Sequence, residues 1–318
     1  MSELEEFLNH RELRDRAVLV ERLYRFLPQP LARAAERYLS PRHMRSMAPR
    51  ISFLRNNDES WTVRDGTKIV AQSRPLVDLV GRLDKPVTIV ATGPTAKDYP
   101  WDEVRDGKRF VIAVAGAPTL LKSVNIQPDL LVISDSRFAK YGIEHIRTAR
   151  EVPMVTVMRA VSFLAERTPE ELTKRPFAMI EKVNSWYGLP QLAIPDLIAR
   201  NERSGHPFVF AEPFDPSYRV GWSHRPELGF FTAATVAYVA LQIAVGLGAR
   251  DIEIVGMDLS SGARAYDEGE KAVRNTLVQN YEQNILPSFE LMHTALLGRG
   301  VSVRNRSPVC PLPASLFS

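Results

Sequence analysis

The chain has 318 residues, of which 45% are hydrophobic and 25% charged, a balance typical of a globular protein with a sizeable core. Its single cysteine, Cys310, excludes an internal disulfide and a Cys/His metal cluster. No run of 18 apolar residues predicts a membrane span, and the acidic start lacks the apolar segment of a signal peptide. We therefore expect a cytoplasmic protein. Its net charge of +4, without a nucleic-acid motif, does not favour nucleic-acid binding.

Residues 1–84 are expected to form a helical N-terminal appendage and a small hairpin. Residues 17–27 and 31–39 have the spacing of amphipathic helices, and the first 50 residues contain ten Arg and no Lys. Two interpretations stay open: helices packed on the main domain, or a surface that contacts an anionic membrane through residues 11–50. Further on, Asp65-Gly66 predicts a hairpin turn between two short strands.

Residues 85–318 alternate between strands and helices, which predicts an α/β fold: a Rossmann-like, mostly parallel sheet with helices on both faces. A stretch at about residues 160–228, rich in proline, aromatic and charged residues, is expected to be a lid-like insertion. The segment 230–249 predicts one 20-residue helix, and a long helix is expected over roughly 270–297. The expected strands are Val87–Thr92, Phe110–Gly116, Pro128–Asp135, Pro153–Met158, Asp251–Ser260 and Val301–Asn305.

In such sheets, ligands bind beyond the carboxyl ends of the strands, so the residues that follow each strand are candidates for a site. Gly93-Pro94-Thr95 follows the first strand, where Gly permits close backbone approach and a helix N-terminus favours an anion. A phosphate site and a plain strand–helix corner remain equal alternatives for this turn. Asp135 and Asp258 also end strands, so they could converge on one crevice, although a single Asp there is often a helix cap.

A general base is harder to identify from the sequence. His224 lies in the polar loop GWSHRPELG before the apolar helix and is a candidate base, although surface-loop histidines are more often without a catalytic role. No Gly-x-Ser-x-Gly motif supports a hydrolase triad. No Asp-x-Asp pair indicates a metal site, so no metal is expected.

Four segments together resemble the bacterial sialyltransferases of glycosyltransferase family 42, and likewise the lipopolysaccharide-core transferases that add a Kdo residue. The order and spacing of these segments carry the resemblance, which spans about residues 85–312. The segments are VTIVATGPTAKDYPWDEV, DLLVISDSRFA, TAATVAYVALQIAVGLGARDIEIVGMDLSSGARAYDEG and VSVRNRSPVCPLP.

The resemblance implies a variant GT-A fold, a CMP-activated ulosonic acid as donor substrate, and inverting transfer with no cofactor or required metal. The acceptor would be a lipid-linked or lipopolysaccharide glycan, reached by peripheral contact with the inner face of the membrane. A homo-oligomer is left open. The catalytic candidates are Asp135, Asp258 and His224. The donor-binding candidates are Thr92, Gly93, Pro94, Thr95, Gly116, Thr232, Thr235, Gly256, Met257, Ser260, Tyr266 and Ser307.

The chain also departs from the family pattern. Thr92 and Ala115 stand where the family has Asn, and Ser260 replaces a Tyr. The segment KAVRNTLVQNYEQNILPSF after Tyr266, where the family has its base, contains no His. Two alternatives therefore remain. Residues 124–129, with Asp135, are similar to pterin diphosphokinase-like proteins, which implies ATP- and Mg²⁺-dependent pyrophosphoryl transfer. A nucleotide-binding scaffold without catalysis is the second alternative.

Overall fold

The structure, a computed structural model, describes residues 50–187, 191–260, 264–265 and 276–317, together with the single residues 28, 31 and 48. The predicted helices at 17–27 and 31–39 and the predicted donor residue Tyr266 lie outside the described residues, Leu31 excepted. None of the helices in the described ranges is long and apolar enough to cross a membrane.

The described residues alternate between strands and helices, as the sequence predicts. The strands are β1 Ile51–Arg55, β2 Trp61–Asp65, β3 Lys68–Gln72, β4 Val87–Val90, β5 Phe110–Val114, β6 Leu130–Ile133, β7 Met154–Val157, β8 Phe177–Ile180, β9 Phe208–Phe210, β10 Gly221–Ser223, β11 Asp251–Val255 and β12 Ser302–Asn305. The helices are α1 Leu76–Val80, α2 Asp102–Arg105, α3 Ala117–Ser123, α4 Ser136–Tyr141, α5 Ile143–Thr148, α6 Met158–Arg167, α7 Glu170–Thr173, α8 Ile194–Arg203, α9 Val236–Gly246, α10 Leu277–Asn280 and α11 Leu286–Leu296.

Seven of these strands form one parallel sheet in the order β12-β11-β4-β5-β6-β7-β8. The strands β4, β6, β7 and β8 are buried at every residue, as expected when helices cover both faces of a parallel sheet. The predicted α/β fold with a Rossmann-like parallel sheet is confirmed.

The strand order defines a switch point between β4 and β11. From β4 the chain adds strands in one direction as far as β8, and it then returns to place β11 and β12 on the other side of β4. Because crossover connections are right-handed, helices that precede β11 and β12 cover the opposite face from those that follow β4. In parallel sheets, the carboxyl edge of such a switch point is where ligands bind, so the loops after β4 and β11 are the first place to look for a site.

The apolar helix α9 is shorter than the 20 residues that the sequence predicts. It begins at Val236, because Ala233 and Ala234 adopt positive φ values of 42° and 56°, which end any helix that includes them. Before this turn the chain is extended, and Phe230 forms a parallel bridge with Lys182, just beyond β8. Similarly, the expected long helix over roughly 270–297 is described from Leu277 and is interrupted by a π turn at Tyr281–Ile285.

The stretch predicted as an insertion at about 160–228 begins later than expected. Residues 158–180 form α6, α7 and β8, and β8 is a strand of the main sheet. Its apolar run FAMI is only four residues long, so proline and charged residues on both sides hide it in the sequence. The remainder, between β8 and α9, contains α8 and the two-stranded sheet β9-β10.

The small antiparallel sheet β1-β2-β3 confirms the predicted hairpin. Asp65 ends β2, Gly66 has a φ of +59°, and β3 follows two residues later. This sheet packs against α6, so it is attached to the main domain near β7 and β8.

Candidate functional site

The loops after β4 and β11 are joined by backbone hydrogen bonds at the switch point. Ala91 N–H donates to Val255 O at 2.8 Å, and Gly93 N–H donates to Gly256 O at 2.7 Å. Hydrogen bonding between these two parallel strands thus continues beyond their ends, to Gly93 after β4 and to Gly256 after β11. The sequence marked both glycines as candidates that follow strands, but it did not predict that they meet.

Gly93 is required by the space available rather than by its backbone conformation. Its φ is −69°, which any residue adopts. However, a Cβ there would lie 2.5 Å from Asp258 Oδ2 and 2.6 Å from Gly256 O. Gly256 is constrained in both respects, because its φ is +70° and a Cβ on it would lie only 2.8 Å from Ala96 Cβ.

Asp258 fixes the turn that follows Gly93. Its carboxylate is buried and accepts hydrogen bonds from Thr95 N–H, at 3.0 Å, and from the Thr95 hydroxyl. Pro94 opens the short 3-10 turn Pro94–Asp98, whose first N–H groups need an acceptor from elsewhere. Asp258 supplies that acceptor from the neighbouring strand end. The catalytic role expected of Asp258 stays a prediction, because both of its oxygens hold the turn.

Thr92 brings an arginine to the same edge. The Thr92 side chain accepts a hydrogen bond from Arg264 Nη1 at 3.1 Å, and Thr92 O accepts from Ala265 N–H at 2.9 Å. These contacts place a guanidinium beside the Gly93-Pro94-Thr95 turn. The sequence interpretation missed Arg264, because nothing in GARAY distinguishes it from any loop arginine.

Two further predicted residues follow the neighbouring strands β11 and β12. Met257 is buried after β11, and Ser307 follows β12 with only 5% of its surface exposed. The Ser307 hydroxyl has no hydrogen-bond partner among the described residues, while its N–H donates to Asn305 Oδ1 at 3.1 Å. Burial raises the pKa of the nearby Cys310 thiol, and the charge of Asp258 adds to that rise. Ser260 is exposed at the end of the described part of this loop.

Asp135 does not converge with Asp258. It caps α4 by accepting from Arg137 N–H at 2.9 Å, and its carboxylate forms an ion pair with Arg137 Nη2 at 2.8 Å. Since β11 and β6 are three strand spacings apart, about 14 Å separates the two strand ends. Asp135 and Asp258 therefore do not meet, and the hydrogen bonds of Asp135 fit the helix-cap alternative, while its catalytic role stays a prediction. Gly116, between the two, precedes α3 after β5.

Thr232 and Thr235 form the turn that begins α9 at the carboxyl edge of the sheet. Thr235 N–H donates to Thr232 O at 2.9 Å, and α9 then packs on β4, β5, β6 and β11. The first N–H groups of α9 thus lie at the same edge as Gly93. The structure brings these two predicted residues to the edge of the switch point through the strained Ala233-Ala234 pair.

His224 lies at the opposite edge of the sheet from the other predicted residues. Strand β10 runs alongside α9: Gly221 O accepts from the Tyr238 hydroxyl at the start of α9, whereas His224 O faces Gly246 at its end. That end of α9 leads into β11, so it lies at the amino edge. Burial, with the charge of Arg299, lowers the His224 pKa to about 4. The expectation that His224 is the base of this site is wrong.

A buried charge network supports the site from one face of the sheet. Glu253 of β11 is 1% exposed, accepts from Thr88 at 2.9 Å and from the Tyr99 hydroxyl, and pairs with Arg109 and Arg306 at 3.0 and 3.1 Å. Burial acts to raise its pKa, but these hydrogen bonds and charges lower it below the ordinary value. Tyr99 directly follows the 3-10 turn, so the network anchors the far end of that turn. In the sequence, this buried charge network is indicated by Glu253, an acidic residue in the middle of the apolar strand DIEIV.

Two cavities lie away from the switch point. One of about 330 Å³ is lined by α11 and β12 near Leu297, and one of about 280 Å³ lies between the small sheet and β8 near Trp61 and Trp186. Neither includes the residues after β4 or β11. Within the described ranges, no group of three His, Cys, Asp or Glu side chains lies close enough to hold a metal ion.

The chain is similar in sequence to two curated proteins. It is 26% identical over 216 residues to the probable 3-deoxy-manno-octulosonic acid transferase of Escherichia coli (strain K12), covering 67% of this chain and 75% of that protein. The protein of the same name in Salmonella typhimurium is 24% identical over 64% of this chain and 76% of its own. No family model matches the chain. The sequence similarity agrees with the resemblance drawn from the four motif segments.

Similar solved structures are also glycosyltransferases by name. The MAf glycosyltransferase of Magnetospirillum magneticum AMB-1 gives a TM-score of 0.44 at 14% identity, covering 73% of this chain but only 33% of that one. The sialyltransferase CstII of Campylobacter jejuni, in complex with the substrate analogue CMP-3FNeuAc, gives 0.39 at 10% identity, covering 74% and 88%.

Proposed function

We propose that the protein is a glycosyltransferase that transfers a CMP-activated ulosonic acid, such as Kdo, to a lipid-linked or lipopolysaccharide glycan. The observation that carries this proposal is the pair of joined loops after β4 and β11 at the switch point. Two of the four motif segments that resemble the family meet there, and the curated relatives are named for octulosonic acid transfer.

The switch-point residues have defined tasks under this proposal. Gly93 and Gly256 keep the backbone free of side chains, so that a nucleotide can lie against the two loops. Departure of CMP develops negative charge on a phosphate oxygen, and hydrogen-bond donors or a guanidinium stabilise such charge without a metal. The Arg264 guanidinium, which donates a hydrogen bond to Thr92, is assigned this task among the described residues.

The acceptor and the place of the reaction follow from the same proposal. A glycan on a lipid anchor is reached from the membrane surface, and the ten Arg of the first 50 residues suit anionic headgroups. We therefore extend the proposal to peripheral contact with the inner face of the cytoplasmic membrane through residues 11–50.

Release of CMP from CMP-Kdo tests the activity, with and without a lipopolysaccharide-core acceptor. Arg264→Gln should lower kcat at least tenfold, whereas Arg264→Lys should retain part of it. Arg203→Gln, an exposed arginine at the end of α8, is the matched control and should be unchanged. Equal turnover in the Arg264→Gln and control variants would remove the arginine from the mechanism, and no CMP release by the wild type would refute the proposed donor.

The pterin diphosphokinase-like alternative gains no support from the geometry. Residues 124–129 form a turn that enters β6 at the amino edge, where Asp129 Oδ2 accepts from Val111 N–H at 2.7 Å. The pattern at residues 124–129 is thus explained by the turn into β6, which lies at the opposite edge of the sheet from the switch point. Asp135, which would hold Mg²⁺ under that alternative, is paired with Arg137.

A further inference from the structure

Three cationic side chains gather near the carboxyl ends of β7 and β8, away from the switch point. Arg159 belongs to the first turn of α6 after β7, Lys182 follows β8, and Arg219 lies in the loop before β10. The geometry places them together: β7 and β8 are neighbouring strands, Lys182 is bridged to Phe230, and Arg219 O accepts from Ala233 N–H three residues further on. Burial lowers the Lys182 pKa and the charge of Glu181 opposes that effect, while the positive charges of Arg219 and Arg159 lower the pKa and Asp135 raises it.

Lys182 is held in a fixed position with a half-buried side chain. Its backbone is bridged to Phe230, and Val183 N–H donates to Phe230 O at 3.1 Å. Throughout the described part of the chain, no side chain forms a hydrogen bond or an ion pair with the Lys182 ammonium. The charges that favour the ammonium are those of Glu181 and Asp135, so an anion bound here would offset a further part of the cost of its burial.

The nearby acidic groups do not balance the cluster. Asp135 already pairs with Arg137 at 2.8 Å. Glu181 folds back to accept Lys182 N–H at 2.9 Å, and burial raises its pKa to about 7, so much of it is neutral at that pH. Arg159 and Arg219 are both exposed, and Arg159 has a ring contact with Phe163. A surplus of positive charge therefore faces solvent around Lys182.

Arg219 links the cluster to the turn that begins α9, which contains the predicted donor-binding residues Thr232 and Thr235. Arg219 O accepts from Ala233 N–H at 2.9 Å, inside the turn that begins α9. Along the sheet edge, β7 and β8 lie three and four strand spacings from β4, which is about 14 to about 19 Å. The sugar of a nucleotide at the switch point would reach the cluster by extending along this edge toward β7.

We propose that Lys182, Arg159 and Arg219 form a binding site for the carboxylate of a sugar acid, carried either by the donor sugar or by an acidic sugar of the acceptor. The site rests on the proposed function, because an ulosonic acid has its carboxylate on the sugar while the nucleotide phosphate is assigned to the switch point. Arginine binds a carboxylate through two parallel hydrogen bonds, and lysine adds a compact charge behind it.

The methyl glycoside of Kdo is the direct probe, and its carboxyl methyl ester is the control ligand. The wild type should bind the acid at least tenfold more tightly than the ester in a calorimetric titration. Lys182→Gln should remove that preference, and Lys182→Arg should keep it. Lys174→Gln, an exposed lysine after α7, is the matched control variant. A thermal melt confirms that each variant is folded, and Lys182→Met provides a second neutral replacement.

Two arms distinguish the sources of the carboxylate. If it belongs to the donor, Lys182→Gln should weaken CMP-Kdo binding tenfold while CMP binding is unchanged. If it belongs to the acceptor, donor binding should stay constant while the KM for an acidic acceptor rises. Equal binding of acid and ester by the wild type, an unaltered preference in Lys182→Gln, or tighter binding of inorganic phosphate than of the glycoside would each overturn the site. A wild type that binds the glycoside but not CMP would keep the site and reject the proposed function.

Discussion

Gly93 sets how closely the loops after β4 and β11 approach each other. The contact is steric, because its backbone angles are open to any residue. Gly93→Ala should therefore destabilise the protein by about 1 to 3 kcal/mol, the usual cost of overpacking, as Asp258 and Gly256 O are forced apart. Urea denaturation measures this loss.

Gly107→Ala serves as the control for that substitution. Gly107 has a φ of +67° and nothing within 4 Å of a Cβ, so its alanine variant reports backbone strain alone. Nucleotide binding should be weakened by Gly93→Ala and unaffected by Gly107→Ala. If Gly93→Ala matched the wild type in both stability and binding, the close approach of the loops would be unimportant.

Glu181 should make stability depend on pH. Burial raises its pKa from 4.5 to about 7, so between these values the folded state binds a proton that the unfolded state does not. Stability then falls as pH rises through this window, by roughly 3 kcal/mol at 1.36 kcal/mol per pKa unit. Glu181→Gln removes the titrating group, and its stability relative to wild type should increase from pH 5 to pH 8 in urea titrations. A difference that is constant with pH would show that Glu181 titrates normally.

Single residues also show what the sequence could and could not reveal. The positions of Gly93, Thr95 and Asp258 followed from the rule that the ends of parallel strands form sites, and the structure brings those three together. His224 failed because its place depends on which end of α9 its loop reaches, which is a tertiary contact. Arg264 has no local signal at all.

The apolar helix α9 owes its fixed start to one buried amide. Gln242 Oε1 accepts from Ser223 N–H and Phe231 N–H, both at 3.1 Å, while its Nε2 donates to Phe231 O at 2.8 Å. The fully buried Gln242 side chain thus makes the hydrogen bonds to β10 and to Phe231 that a neighbouring strand would otherwise make. These hydrogen bonds hold Phe231 in an extended conformation, so residues 230–235 are not helical although their composition favours a helix.

Gln242→Met tests this role at nearly constant volume. Two buried N–H groups would lose their acceptor, so the free energy of unfolding should drop by about 2 to 6 kcal/mol, at about 1 to 3 kcal/mol for each unsatisfied group. Gln242→Glu keeps the acceptor but loses the donor and buries a carboxyl, and it should raise the pH sensitivity of the melting temperature. A Gln242→Met protein as stable as the wild type would contradict the anchoring role.

For the whole molecule, the order of strands matters more than their positions. The sequence predicted most strands of the parallel sheet from apolar runs, but it could not show that β11 pairs with β4, because that pairing joins residues more than 160 positions apart. Only that pairing puts Gly93-Pro94-Thr95 and Gly256-Met257-Asp258 side by side. Gly93-Pro94-Thr95 is therefore one half of a candidate phosphate site, and Gly256-Met257-Asp258 is the other half.

Hydrogen–deuterium exchange with and without CMP tests the central claim most directly. If the nucleotide binds at the switch point, peptides that contain residues 92–98 and 255–260 should gain protection with CMP and not with ATP and Mg²⁺. Peptides from the cavity near Leu297 should be unchanged and provide the internal control. Protection by ATP and Mg²⁺ alone, or protection by CMP confined to peptides outside the two loops, would contradict a nucleotide site at the switch point.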